Sequence, residues 1–231
     1  MSDINNKLIE YLKEFVTPEK YQLFLKIVES RTRYLTVVLE DIYQPQNASA
    51  VLRTCDCYGV QNIHIIENRN KYRLNPDVTL GSDKWLSLHR YNTSENNTLS
   101  AIDKLKKEGY RIVATAINKE NYTLLPEFNI SKGKFALLFG SELLGLSDAA
   151  FNNADEFLKI PMYGFTESFN ISVSAAIILS NLVEKLRESD VNWRLSQQEK
   201  TEIVLQWLKI TIKKSDLLIE KYFEINNFPK S

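Results

Sequence analysis

Cysteine and histidine are scarce in this chain, with two of each among 231 residues. Cys55 and Cys57 stand in Cys-Asp-Cys, and side chains two apart on a helix point away from each other, so neither a disulfide nor a zinc pair is expected. With His64 and His89 as the imidazoles, no metal cluster is expected, and all four side chains read as packing residues. An excess of one charge is missing too: 29 basic against 29 acidic side chains argue against a protein that coats nucleic acid indiscriminately. A local basic face remains open, because capture of phosphates depends on where the charges sit. No run approaches the roughly 18 apolar residues that a membrane span requires. The opening MSDINNKLIEYLKEF is amphipathic and lacks the basic head, apolar middle and cleavage site of a secretory signal. A cytoplasmic protein without a membrane partner is expected.

What is present is ordinary for a folded protein, 44% hydrophobic and 25% charged. Ile4, Leu8, Leu12 and Phe15 fall near helical spacing, and Thr17-Pro18 supplies a cap and first turn for a helix over Pro18–Glu29. From Tyr34 the texture changes to apolar, β-branched runs at Leu35–Leu39, Ile63–Ile66, Ile112–Ala116, Phe135–Phe139 and Phe157–Ile160. Helical stretches separate them: Asn47–Tyr58 closed by Gly59, Asn97–Glu108 closed by Gly109, and Ser147–Asn153. A longer helix is expected over Ile171–Arg187, then a linker, then helices over Gln197–Ile212 and Asp216–Phe223, with a loose NNFPKS tail. Apolar strands alternating with helices predict an α/β fold, a mostly parallel sheet with helices on both faces. The expected division is a helical extension at 1–30, the α/β domain at 31–188 and a second helical extension at 189–231.

In such a sheet, ligands bind beyond the carboxyl ends of the strands, and three unusual segments lie there. Pro45-Gln46-Asn47 through Arg53-Thr54 follows the first strand, and Gly140-Ser141-Glu142-Leu143-Leu144-Gly145-Leu146-Ser147 follows Phe135–Phe139. Pro161-Met162-Tyr163-Gly164 and Ser168-Phe169-Asn170-Ile171-Ser172-Val173-Ser174 follow Phe157–Ile160. Each residue alone has an ordinary structural reading. Asn47, Ser147 or Asn170 caps a helix, Arg53 is a solvated helix residue, Gly140 and Gly145 permit turns, and Glu142 is a loop carboxylate. Three polar, small-residue segments ending three strands of one sheet make a shared site the better joint reading.

Together these segments resemble the three signature motifs of the SpoU/TrmH family of RNA 2′-O-methyltransferases, in the SPOUT superfamily. Asn47 and Arg53 match N-x-x-x-x-x-R of motif 1, Glu142 in GSELLGLS matches motif 2, and Ile160-Pro161-Met162 with SFNISVSAA matches motif 3. The resemblance runs from about Arg31 to Arg187, includes GSDKW at Gly81–Trp85, and is greatest for the TrmH branch, which methylates guanosine-18 of tRNA. It implies S-adenosylmethionine as cofactor, a carboxyl-terminal trefoil knot that forms the cofactor pocket, an exception to the rule that chains do not knot, and a homodimer. Arg53 would serve the partner's site, and Ile177, Ile178 and Leu182 are candidates for the dimer face. It further implies catalytic roles for Arg53, Asn47, Glu142, Ser168 and Asn170, and cofactor contacts at Thr115, Gly140, Ile160 and Phe169, largely through backbone.

Transfer from a sulfonium to a hydroxyl is an in-line displacement, so much of the catalysis is positioning plus stabilisation of the charge developing on oxygen. Family accounts treat the arginine as acting on the 2′-hydroxyl. A guanidinium keeps its proton at neutral pH, so clamping a phosphate and stabilising the alkoxide suits Arg53 better than acting as a base. Asn47 would orient Arg53 or the ribose. RNA contact calls for cations and aromatics. Asn68-Arg69-Asn70-Lys71-Tyr72-Arg73 offers three positive charges and a tyrosine, Arg31 and Arg33 stand beside the first strand, and lysines of the terminal helices offer arms to grip tRNA, equally suited to a dimer face or to packing. The rival readings are a ribosomal-RNA methyltransferase of the same family and a catalytically silent RNA-binding module. A Rossmann oxidoreductase would need G-x-G-x-x-G where the chain has Asp41-Ile42-Tyr43-Gln44-Pro45-Gln46.

Overall fold

The protein is described by a computed structural model covering residues 2–115 and 121–226. In chain order the elements are α1 (Ser2–Leu12), α2 (Pro18–Val28), β1 (Leu35–Glu40), α3 (Pro45–Tyr58), β2 (Asn62–Ile66), α4 (Pro76–Thr79) and β3 (Ser87–Tyr91). There follow α5 (Asn97–Lys107), β4 (Arg111–Thr115), β5 (Thr123–Leu124), β6 (Phe135–Phe139), α6 (Asp148–Asn153) and β7 (Glu156–Lys159). The long α7 (Ile171–Glu188), α8 (Gln197–Thr211) and α9 (Ser215–Ile225) complete the described chain. The expected strand residue Ala116 and the tail after Asn226 lie outside the described residues.

The chain forms two compact units, 32–193 and a second made of 1–31 with 194–231. In the larger unit the strands form one seven-stranded sheet in the order β3-β2-β1-β6-β4-β7-β5. Every recorded pair is parallel, with Val37 opposite both Ile63 and Leu137. Strand β1 is buried along its whole length, and its side chains alternate between two cores. Val37 and Leu39 pack with Val51 and Leu52 of α3 and Ile178 and Leu182 of α7. Val38 packs on the other face with Ala101 and Ile102 of α5 and Ala150 of α6. Burial on both faces is why these strands are apolar throughout.

Local chemistry sets the helix ends. Pro45, which has no amide proton to lose, is the first residue of α3, and Gly59 closes it in the left-handed region at φ 76°. The helix therefore starts two residues before the expected Asn47, and Asn47 lies within its first turn instead of capping it. Asn96, Ser147 and Asn170 cap α5, α6 and α7 by accepting from Leu99 N, Ala150 N and Ser172 N. Two strands went unread in the sequence. The edge strand β3, SLHRY, is only half-buried and largely polar, and β5 is two residues long.

The smaller unit joins the two ends of the chain. Phe24 of α2 packs on Trp207 of α8 with ring centroids 5.6 Å apart, and Tyr11 of α1 meets Tyr222 of α9 at 4.9 Å. Glu29 pairs with Lys200 at 2.7 Å, and a capping box of Ser196 and Glu199 opens α8.

Candidate active site

Because every strand runs the same way, Glu40, Ile66, Thr115, Phe139 and Lys159 all end at one edge of the sheet. A cavity of about 690 Å³ opens there, lined by Thr115, by the loop after β6, and by the loop after β7 with the start of α7. All four expected cofactor residues, Thr115, Gly140, Ile160 and Phe169, line it, as do Glu142, Ser168 and Asn170. The Thr115 hydroxyl donates to Leu138 O at 2.8 Å and so belongs to the sheet.

The loop after β6 closes on itself. Ser141 N donates to Gly145 O at 3.0 Å and Gly145 N to Ser141 O at 2.9 Å. A side chain at Gly140 would drive its Cβ into the backbone of Gly145 and Leu146, so only glycine fits. The far end of the loop is held by Glu40, the buried acid that ends β1. Its carboxylate accepts from Ser147 N at 2.8 Å, from Ser147 Oγ at 2.7 Å and from Thr98 Oγ1 on α5. Glu40 was not singled out in the sequence, although an acid ending an otherwise apolar strand was the available signal.

One polar cluster joins the three motif segments. Asn47 Nδ2 donates to Glu142 Oε1 at 2.7 Å, and Tyr43 N donates to Glu142 Oε2 at 3.2 Å. Asn170 Nδ2 donates to Asn47 Oδ1 at 3.1 Å, while Asn170 Oδ1 accepts from Ser172 N at 2.8 Å and Ser172 Oγ at 2.6 Å. Asn47 is buried, and a buried amide left without partners costs about 1–3 kcal/mol, so its bonds to Glu142 and Asn170 fix the three segments relative to one another. Asn47 is thus spent on Glu142 and Asn170. Arg53 stands exposed on α3, outside the cavity lining, and no hydrogen bond or ion pair holds it among the described residues. Of its two expected targets, Arg53 or the ribose, Asn47 makes no hydrogen bond to Arg53 among the described residues.

The expected RNA-contacting residues separate into two groups. Arg69, Lys71 and Arg73 are exposed on the loop after β2, at the same edge of the sheet as the cavity. The loop is built rather than slack. Asp41 Oδ1 accepts from Asn68 N at 2.7 Å, Arg69 N at 2.8 Å and Asn70 N at 3.3 Å, and Glu67 Oε1 accepts from Tyr72 N at 2.8 Å. Tyr72 turns inward against the core and lies 5.7 Å from the Arg90 guanidinium, and burial pushes its phenol pKa up, so it is not a free stacking surface. Arg31 is corrected: it is 3% exposed, within the helical unit, 5.4 Å over the Trp207 ring. Arg33 precedes β1 and bonds Asn62 Oδ1 at 3.2 Å, at the amino end of the strands and away from the cavity. Ile178 and Leu182, expected at a dimer face, are buried in this chain's own core, and Ile177 alone of the three is partly exposed.

Among the described residues no group of three histidines, cysteines or carboxylates could hold a metal, and no helix is long and apolar enough to cross a membrane.

A family model described as the SpoU rRNA Methylase family matches residues 34–180. A curated tRNA (guanosine(18)-2′-O)-methyltransferase of Borreliella burgdorferi is 45% identical over 213 residues, covering 92% of this chain and 95% of that protein. The crystal structure of the Aquifex aeolicus TrmH/SpoU tRNA modifying enzyme superposes with a TM-score of 0.74 at 28% identity, covering 85% of this chain and 98% of that one. The SpoU methyltransferase AviRb from Streptomyces viridochromogenes, solved in complex with the cofactor AdoMet, shares the fold with a TM-score of 0.57 at 21% identity, over 71% of this chain and 62% of that one.

Proposed function

The chain belongs to the SpoU rRNA Methylase family, and on that premise we propose that it methylates the ribose 2′-hydroxyl of guanosine-18 in tRNA, with S-adenosylmethionine as methyl donor. The choice of tRNA follows the 45% identity to the Borreliella burgdorferi enzyme over nearly the full length of both chains. On the geometric side, one observation carries the reading. Asn47, Glu142 and Asn170, one from each motif, are hydrogen-bonded to one another beside a single cavity.

The cavity suits the donor. Its volume is in the range of small-molecule sites, and its walls mix apolar side chains with loop backbone. The residues that would hold the donor are Thr115, Gly140, Ile160 and Phe169, and with the Thr115 hydroxyl bonded to the sheet, recognition falls largely to main-chain groups. S-adenosylmethionine supplies there an electrophilic methyl group on a sulfonium. The Asn47–Glu142–Asn170 cluster holds the motif segments still, which is the larger part of an in-line displacement. Ser168, exposed at the cavity, faces the approach of the ribose.

Arg53 clamps a substrate phosphate and steadies the developing alkoxide. It does so in the cavity of a second copy of the chain, which accounts for its exposure away from its own cavity. The chain acts as a homodimer, and the segment after β7 threads a trefoil knot whose loops form the pocket. The topology is consistent with threading: β6 inserts between β1 and β4, and β7 returns to the far side of β4. Arg69, Lys71 and Arg73 contact the RNA backbone beside the cavity, and the setting is the cytoplasm, where tRNA is modified.

The test is to incubate the protein with labelled donor and with transcribed tRNA or ribosomal RNA, then map the methylated ribose. Methylation at guanosine-18, lost in a tRNA with another nucleotide there, is expected. Methylation confined to ribosomal RNA would overturn the substrate, and none on either RNA would overturn the enzyme.

A further inference from the structure

Three of the four residues from Glu40 to Tyr43, where β1 ends, reach three different parts of the site. Glu40 holds Ser147, Tyr43 N bonds Glu142, and between them Asp41 holds the cationic loop. Asp41 has left-handed backbone, φ 53°, a conformation that aspartate and asparagine tolerate better than most side chains. Its Oδ1 collects the amides of Asn68, Arg69 and Asn70, and Asn70 Nδ2 returns a bond to Asp41 O at 2.8 Å. The cations Arg69, Lys71 and Arg73 are therefore carried on a loop whose first half is wrapped around one carboxylate.

An acid at that place is electrostatically unhelpful for binding RNA, since it lowers the positive potential of the loop. Its value lies in geometry. A loop fixed in advance presents its cations without the ordering cost that a free loop meets on binding. We propose that Asp41 is a positioning residue for tRNA: it sets the 68–73 loop in register with the motif segments, so that phosphate contacts and the reacting ribose are addressed together. The inference rests on the reading of this loop as an RNA contact.

Charge and geometry predict opposite signs, which makes the idea testable. Asp41→Gly removes the acceptor and leaves a residue at ease at positive φ. It is expected to raise KM for tRNA about tenfold and to flatten the salt dependence of binding. At saturating tRNA, kcat and the affinity for S-adenosylmethionine should stay unchanged. Asp41→Asn keeps an acceptor and tolerates the backbone, and should bind tRNA at least as well as wild type. If Asp41→Gly does not fold, Asn70→Ala, which removes the return bond, should raise KM about threefold by the same route. Tighter or unchanged tRNA binding in Asp41→Gly, or in Asn70→Ala as its substitute, would overturn the inference. So would a loss confined to kcat and cofactor affinity. A triple Arg69→Ala, Lys71→Ala, Arg73→Ala variant separates the two levels. If it leaves tRNA binding intact, the loop is no RNA contact and the inference falls with it. If it weakens binding while the Asp41 and Asn70 variants do not, the loop reading stands and the role of Asp41 is refuted.

Discussion

Asn47 and Glu142, 95 positions apart in the chain, meet through a 2.7 Å hydrogen bond from Nδ2 to Oε1. The same asparagine accepts from Asn170 Nδ2, so its side chain is bonded to both other motifs. Asn47→Ala should therefore act on position more than on binding chemistry. Loss of its hydrogen bonds to the half-buried Glu142 and the exposed Asn170 should cost about 1 kcal/mol of stability, read by thermal or urea unfolding. Methyl transfer should fall by about a hundredfold, the scale of a one-ångström misplacement. Glu142→Gln, which retains an acceptor for Asn47, should lose much less stability. Equal losses in the two variants would mean that an acceptor at position 142 is not enough to keep the contact with Asn47.

Gly140 and Gly109 form a matched pair for a second test. A methyl group at Gly140 meets the backbone of Gly145 and Leu146, whereas at Gly109, φ 85°, it meets nothing within 4 Å. Gly109→Ala should cost about 1–2 kcal/mol of backbone strain and leave cofactor binding untouched. Gly140→Ala should force the loop after β6 to move and weaken S-adenosylmethionine binding by about tenfold or more. Calorimetric titration of both variants decides it, and equal cofactor affinity would show that the loop does not shape the pocket.

Much of this site was legible because the motif residues are consecutive in the chain and each segment follows an apolar strand. Phe135–Phe139 is a strand with the expected bounds, and Asn170 and Ser147 are caps as read. What escaped were properties of the folded surroundings. Ile178 and Leu182 were candidates for a dimer face through the family resemblance, and the sequence does not say that they pack with α3 in the chain's own core. Arg31 reads as a surface cation, yet Trp207, 176 positions later, packs against it. Asp41 and Glu40 look like the polar end of a strand until the loops that bond them are in place. The start of α3 was misread because Asn47 is a good cap in isolation, while Pro45 sets the first turn.

His64 and His89 of neighbouring strands stack at 4.7 Å, and His64 Nδ1 lies 2.8 Å from Tyr91 Oη. Burial, then the nearby His89 and Lys104, lowers the His64 pKa to about 3, and His89 is lowered by burial and Lys104, though Glu108 opposes. Between about pH 6.5 and pH 3 the unfolded chain binds a proton at His64 that the folded chain does not. Stability therefore falls as pH drops through that window, by about 1.4 kcal/mol per pH unit for one proton. Urea unfolding between pH 7 and pH 4 should show this slope, and His64→Gln should reduce it. An unchanged slope in the variant would place the acid sensitivity elsewhere.

The exposure of Arg53 sets up the most discriminating experiment. Arg53→Ala should lower methyl transfer by about 10²–10³-fold, the scale of one charge-stabilising donor, with cofactor affinity intact. Arg53→Lys should recover little, since a point charge does not reproduce the planar donor fork. Neither result tells whether the arginine works in its own subunit. Mixing does. In a hybrid of Arg53→Ala with Gly140→Ala subunits, the first chain keeps a sound cavity and the second keeps the arginine. If Arg53 acts across the dimer, one of the two hybrid sites is complete, and a random equimolar mixture regains about a quarter of wild-type activity. If Arg53 serves its own chain, every site lacks either the arginine or a sound pocket, and with donor held below the Kd of the Gly140→Ala variant the mixture shows no more than the average of its two parents. Recovery also requires that the chains associate and exchange, which the mass of the mixed species in solution reports directly. A mixed dimer of the correct mass without recovered activity would refute the shared site and leave Arg53 to its own cavity.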